Sequence, residues 1–238
     1  MPIAQTNGIH LYYEIHGDGQ PLVVIPGLSI DVTTLEKIAS ELARKYRVIV
    51  FDNRGAGRSD KPDLPYSIEI MSEDAAGLLS ELKTEQANIM GISMGGRIAL
   101  ELTHKHSKLV KSLILVSTSA NVAKSTSRHL LFILIEIPRR LGNLLKKYPQ
   151  PNYAYRRQRQ ASENYDATAI LREVQVPTLI LHGKGDRIVP HASAETLHNE
   201  MKDSKIVSFK GGHTFFFWRQ KEFVRAVEEF LDDLSANN

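Results

Sequence analysis

Residues 87–100, Ala-Asn-Ile-Met-Gly-Ile-Ser-Met-Gly-Gly-Arg-Ile-Ala-Leu, constrain this chain more than any other stretch. They read as a short buried strand that breaks sharply at Ser93 and continues as a helix, and Gly91-Ile92-Ser93-Met94-Gly95 fits the pattern G-x-S-x-G. Glycines two before and two after the serine let strand and helix approach without Cβ clashes. The turn exposes the serine and aims the first N–H groups of the helix, which favour negative charge, at whatever that serine attacks. One pentapeptide therefore supplies a nucleophile and half of an oxyanion site.

Around it, short apolar runs alternate with helical periodicity. Strands are expected at residues 8–16, 21–25, 47–52, 113–116, 177–183 and 205–209, and helices at 32–45, 68–83, 192–201 and 219–234. Runs that are apolar throughout, separated by helices, are the pattern of a mostly parallel sheet covered on both faces. The rhythm fails only over residues 120–173, which are rich in Arg, Gln and Leu and read as a helical insertion. The expected organisation is a core of residues 1–119 and 174–238 with a helical cap, or lid, at 120–173.

A serine hydroxyl needs a base oriented by a carboxylate, and on such a sheet both partners come from loops at the same strand edge in the order Ser, acid, His. Asp186 follows the 177–183 strand and His213 follows the 205–209 strand, so Ser93, Asp186 and His213 are the candidate catalytic residues. The second oxyanion donor should come from the loop after residues 21–25, where Gly27 permits a turn; the N–H of Leu28 would pair with that of Met94.

These residues, together with residues 51–60 (Phe-Asp-Asn-Arg-Gly-Ala-Gly-Arg-Ser-Asp), the trailing Val189-Pro190 and Gly211-Gly212-His213, resemble the α/β-hydrolase fold superfamily over nearly the whole chain. The resemblance is to its small esterase, enol-lactonase and non-haem haloperoxidase-like branch, which carries a helical cap after the sixth strand of the sheet. It implies a serine hydrolase acting on a small carboxylic ester or lactone through an acyl-enzyme, with no metal or organic cofactor. A C–C bond hydrolase or a cofactor-free perhydrolase would use the same residues, and some members are slow-turnover small-molecule receptors. Haloalkane dehalogenases and epoxide hydrolases carry Asp at the nucleophile elbow, the strand-to-helix turn where this chain has Ser93, and the serine argues against both. Two departures stand out: Pro26-Gly27 where many relatives have His-Gly, and Phe215-Phe216-Phe217-Trp218 where relatives often have an acid. The aromatics are expected beneath the cap or at its mouth.

The expected substrate pocket comprises Gly27, Ser29, Leu131, Ile135, Val189 and Phe215, with residues 130–135 roofing an apolar acyl site. Ser29 either lines that pocket or caps the next helix, a role for which Asp31 competes. Asp52 precedes the nucleophile and is expected to be structural. His104 and His106, two apart on a helix, face different ways and suit the helix C-terminus better than a metal. Gly55-Ala56-Gly57 is followed by no Lys-Ser/Thr, which a phosphate loop would need.

The absence of cysteine excludes a disulfide framework and a thiol nucleophile. Residues 120–173 hold ten Lys/Arg against four acids, so the net +3 of the chain resides in the insertion at +6, with −3 elsewhere. A solvated face, steering of a carboxylate-bearing substrate, or loose contact with an anionic lipid surface would each account for that charge. No recognition motif points to nucleic acid. The apolar run at 130–135 is far too short for stable membrane insertion, and the polar start of the chain leads to an expectation of a cytoplasmic protein. Oligomeric state is left open.

Overall fold

The computed structural model describes residues 2–122, 142, 143 and 145–236. Eight strands form one sheet in the order β1-β2-β4-β3-β5-β6-β7-β8. These are β1 (Ile3–Thr6), β2 (Ile9–His16), β3 (Gln20–Ile25), β4 (Tyr46–Phe51), β5 (Ala87–Ile92), β6 (Val110–Val116), β7 (Thr178–Gly183) and β8 (Ser204–Phe209). β1 and β2 pair antiparallel, β2 joins β4 antiparallel, and from β4 to β8 every pairing is parallel. The fold is that of an α/β-hydrolase. β1 escapes the periodicity reading because four residues, IAQT, with two exposed and two buried, carry too little apolar signal.

The pleat divides the core. Val23, Ile25, Ile49, Ile89, Leu113, Leu115 and Ile180 face one side, where they pack on α2 (Ile68–Glu81), α3 (Met94–Lys105) and α5 (Ala192–Glu200). The alternate residues Leu22, Val24, Val48, Val50, Met90, Ile92, Ile114 and Leu179 meet α1 (Val32–Leu42) and α7 (Gln220–Ala236) on the other. Period-two alternation thus feeds two apolar layers from each central strand, which is why those strands read as continuous apolar runs. In α7, Phe223, Val227, Phe230 and Leu231 form one buried stripe. Helix starts follow their caps: Asp31 accepts the Thr34 N–H at 3.2 Å and Ser67 that of Ile70 at 3.2 Å. Asp31, and not Ser29, is therefore the cap of α1.

Between β6 and β7 the described part of the insertion contains α4 (Asn152–Asn164) and a 3₁₀ turn, Thr168–Glu173. Beyond α4, Tyr165, Ala167 and Leu171 are buried in the α2/α3 layer, so this end of the segment is anchored in the main core. Leu131 and Ile135 lie outside the described residues. Among the aromatics expected beneath the cap or at its mouth, the placement of Phe215 is corrected: it stacks on Phe209 at 4.6 Å and packs with Phe216 and Phe223 in the α1/α7 layer, while Trp218 is 86% exposed. The short helix α6 (Phe215–Trp218) turns the chain inward immediately after the His213 loop. No helix among the described residues is long and apolar enough to cross a membrane.

Candidate active site

β5 delivers Ser93 to the edge where the parallel strands end. Its φ of 54° and ψ of −115° are strained for a residue with a side chain, and such strain costs about 1–3 kcal/mol. The surroundings hold it there: the Ser93 N–H donates to the Val116 carbonyl at 2.8 Å, and the Thr118 hydroxyl donates to the Ser93 carbonyl at 2.7 Å. Gly95 is obligatory, because a Cβ at this position would press into the carbonyl oxygens of Ile25 and Pro26.

The loops after β7 and β8 bring in two further side chains. Ser93 Oγ lies 3.0 Å from His213 Nε2, and His213 Nδ1 lies 2.8 Å from Asp186 Oδ2. An ionised carboxylate only accepts, so Nδ1–H donates to Asp186 and leaves Nε2 as the acceptor facing the serine hydroxyl. Asp186 Oδ1 accepts the N–H groups of Ile188 at 2.8 Å and Val189 at 2.9 Å. Burial pushes the Asp186 carboxyl up, but hydrogen bonds from His182 and His213, the charge of His213 and the Val189 N–H outweigh it and hold the group well below the usual carboxylate range.

A depressed carboxylate contributes stability that is fully present above its unfolded pKa of about 3.9 and is lost as pH falls through the folded value. Asp186→Asn is accordingly expected to be less stable than the parent at pH 7, with the gap closing below about pH 4. Urea denaturation at both ends of this range measures it, and a gap independent of pH would refute the assignment.

A cavity of about 210 Å³ adjoins Ser93 and His213. Its described lining includes Gly27, Leu28, Ser29, Met94, Val189 and Phe216, with Arg97 from α3 and Arg159 and Glu163 from α4. Of the expected pocket residues, Gly27, Ser29 and Val189 are present at its wall, and both residues expected to donate N–H groups, Leu28 and Met94, line the same cavity as the serine. Phe215 is not among the lining residues: its ring faces Phe209 in the core, and its neighbour Phe216 takes the place at the wall. Consecutive residues of one helical turn project about 100° apart, so this one-residue distinction depends on where α6 begins.

The family description "alpha/beta hydrolase fold" matches residues 20–154, more than half of the chain, and "TAP-like protein" matches residues 152–238. The chain belongs to the α/β-hydrolase superfamily. It is 28% identical to a 2-hydroxymuconate semialdehyde hydrolase of a Pseudomonas strain, over 96% of this chain and 93% of that one. Among solved structures it is similar to the enol-lactonase of Burkholderia xenovorans, with 25% identity, TM-score 0.84 and coverage of 97% of this chain and 100% of the other. The esterase EaEST of Exiguobacterium antarcticum gives 25% identity, TM-score 0.86 and coverage of 97% and 98%.

Several supports of this α/β-hydrolase site lay outside the sequence reading. Buried His182 places Nε2 2.9 Å from the Val189 carbonyl and 3.4 Å from Asp186 Oδ2, so it braces the acid loop. Ser117, at the end of β6, donates its hydroxyl to the His213 carbonyl at 2.9 Å. Asn53 donates to the Pro26 carbonyl at 2.8 Å and steadies the loop after β3. The only sequence signal for these was position: each sits at or just beyond a strand end on the edge that carries Ser93. Asp52 accepts the N–H groups of Val32 at 2.7 Å and Arg58 at 2.8 Å, tying α1 to the loop after β4 and taking no place in the cavity wall. His104 and His106 face different carboxylates, Glu173 and Glu73.

Proposed function

We propose that this hydrolase cleaves a small carboxylic ester or lactone through Ser93, His213 and Asp186. The observation that carries the reading is the continuous hydrogen-bond chain from Ser93 Oγ through His213 to Asp186 at the wall of a small, largely apolar cavity. Ser93 Oγ attacks the substrate carbonyl carbon as its proton passes to His213 Nε2. The oxyanion of the tetrahedral intermediate is met by the N–H groups of Leu28 and Met94, and removing one such donor typically costs about 2.7–4 kcal/mol. Asp186 keeps the imidazole oriented and stabilises its charged form. The C–O bond then breaks, His213 returns the proton to the leaving alkoxide, and an acyl-enzyme remains. Water enters, gives its proton to His213, and attacks the acyl carbon; as the second intermediate collapses, His213 returns that proton to Ser93 Oγ and the acid is released. In a lactone, the alkoxide and the acid belong to one product.

The names of the enol-lactonase and esterase relatives support this substrate class. In this reading the insertion acts as a cap over the acyl site. Drug-sized pockets commonly measure about 300–1,000 Å³. At about 210 Å³ the present cavity suits a short acyl group. Steady-state hydrolysis of p-nitrophenyl esters from acetate to decanoate tests this directly. The expected optimum of kcat/KM is at acetate to butyrate, with a decline of about tenfold or more by decanoate. An inert wild type, or an optimum at decanoate, refutes the reading of a short-chain esterase.

A further inference from the structure

Ser29 is a non-glycine residue at φ 63°, in the left-handed region that residues with a Cβ seldom adopt. Both of its backbone polar groups are held by the segment between β6 and β7. The Ser29 N–H donates to Gln158 Oε1 at 3.1 Å, and the Ser29 carbonyl accepts a hydrogen bond from Lys146 Nζ. Lys146 also lies 3.5 Å from Asp31, the cap of α1, so it closes the loop from its far end. Gln158 projects from α4 and is 0% exposed. Its Oε1 also accepts from Gln150 Nε2 at 2.9 Å, and its Nε2 donates to the Arg54 carbonyl at 2.8 Å. Gln150 Nε2 in turn reaches the Gly55 carbonyl at 2.8 Å.

A buried amide with both ends engaged is costly to disengage, because each of its partners loses a hydrogen bond away from water. Gln158 therefore joins three elements: α4, the Gly27-Leu28-Ser29 loop after β3, and the loop after β4. Its acceptor fixes the peptide plane between Leu28 and Ser29. The N–H of Leu28 lies one peptide earlier on the same short, strained turn.

We propose that Gln158 is a positioning residue that sets the Leu28 N–H toward the oxyanion, so that the inserted segment helps to build the catalytic site it covers. The inference rests on the serine hydrolase reading. It assigns Gln158 to the rate of the chemical step and not to ground-state affinity, since the N–H it aims is used most fully when negative charge develops on the substrate oxygen.

The test is the rate of Ser93 phosphonylation by an alkyl fluorophosphonate, alongside kcat and KM for p-nitrophenyl acetate. In the labelling step Ser93 Oγ bonds to phosphorus, fluoride leaves with the P–F electron pair, and the hydroxyl proton passes to His213. Rates are read well below each variant's melting transition. Gln158→Leu is expected to lower kcat and the labelling rate together by about 10–100-fold with KM within about threefold, part of the about 10²–10³-fold that follows complete loss of a donor. Gln158→Glu keeps acceptor oxygens for Ser29 while losing the donor to Arg54, and is expected to recover most of that rate although a buried carboxylate is no more stable than Leu at this position. A residue with a solely structural role would shift the melting temperature and leave kcat unchanged.

A Gln158→Leu variant labelled at the wild-type rate overturns the inference and leaves the hydrolase reading standing. A wild type that is not labelled overturns both. Should Gln158→Leu fail to fold, Lys146→Met decides from the half-buried side of the same loop: a 3–10-fold fall in labelling supports the clamp, and a wild-type rate refutes it.

Discussion

Ser93→Ala is expected to lower kcat for a p-nitrophenyl ester by about 10⁴–10⁶-fold, and His213→Ala by a similar factor, while the double variant is no worse than either alone. The non-additivity is the informative part. In the proposed mechanism Ser93 Oγ and His213 Nε2, 3.0 Å apart, act as one proton-transfer unit, so removing one member would already disable the other. A residual activity about 10³-fold above the uncatalysed rate is expected to persist through the N–H groups of Leu28 and Met94 and through binding alone. Steady-state kinetics on purified variants, with active-site titration to exclude contaminating esterase, measures the effect. A Ser93→Ala enzyme with more than a tenth of the wild-type rate would dismiss Ser93 as the nucleophile.

The largest effect on stability is expected at Arg54 and Asp74. Arg54 Nε and Nη2 each donate to one oxygen of Asp74, in a two-pronged pair that is almost wholly buried, and Asn7 Nδ2 adds a third bond to Asp74 at 2.9 Å. Removing one partner strands the other charge out of water, which costs about 3–5 kcal/mol in such pairs. Arg54→Met and Asp74→Asn are therefore each expected to destabilise by that amount in urea unfolding. The double variant Arg54→Met/Asp74→Leu should recover most of the loss, because no charge is then buried alone. A single-variant cost below about 1 kcal/mol, or a double variant worse than both singles, would show that the pair does not act this way. The Arg54 carbonyl also receives Gln158 Nε2, so the single variants should additionally show slower turnover where they remain folded.

What could be read from the chain before folding was whatever is written locally. Apolar runs in β3 to β7 are apolar because both faces of the sheet are covered, and the elbow is legible because only glycine tolerates the close approaches around Ser93. Asp186 and His213 were found by their place just after strand ends, and the structure brings both to Ser93. β1 was missed because edge strands need little apolar content. Phe215 was misplaced because composition shows an aromatic run without its phase: Phe215 turns to Phe209, and Phe216 reaches the cavity wall.

Sequence alone thus determined the class of fold, the order of the strand-end loops and the identity of the residues that meet at Ser93, since these depend on periodicity, turn chemistry and chain order. Only the tertiary structure decided which side chains brace them. The Ser29–Gln158 bond spans 129 residues, Ser117 reaches His213 across 96, and Arg54 meets Asp74 through the packing of α2 on the sheet. Such pairings depend on the register and relative placement of separate elements. A buried glutamine or arginine in the linear chain looks no different from an exposed one until the packing removes water and leaves it a single set of partners.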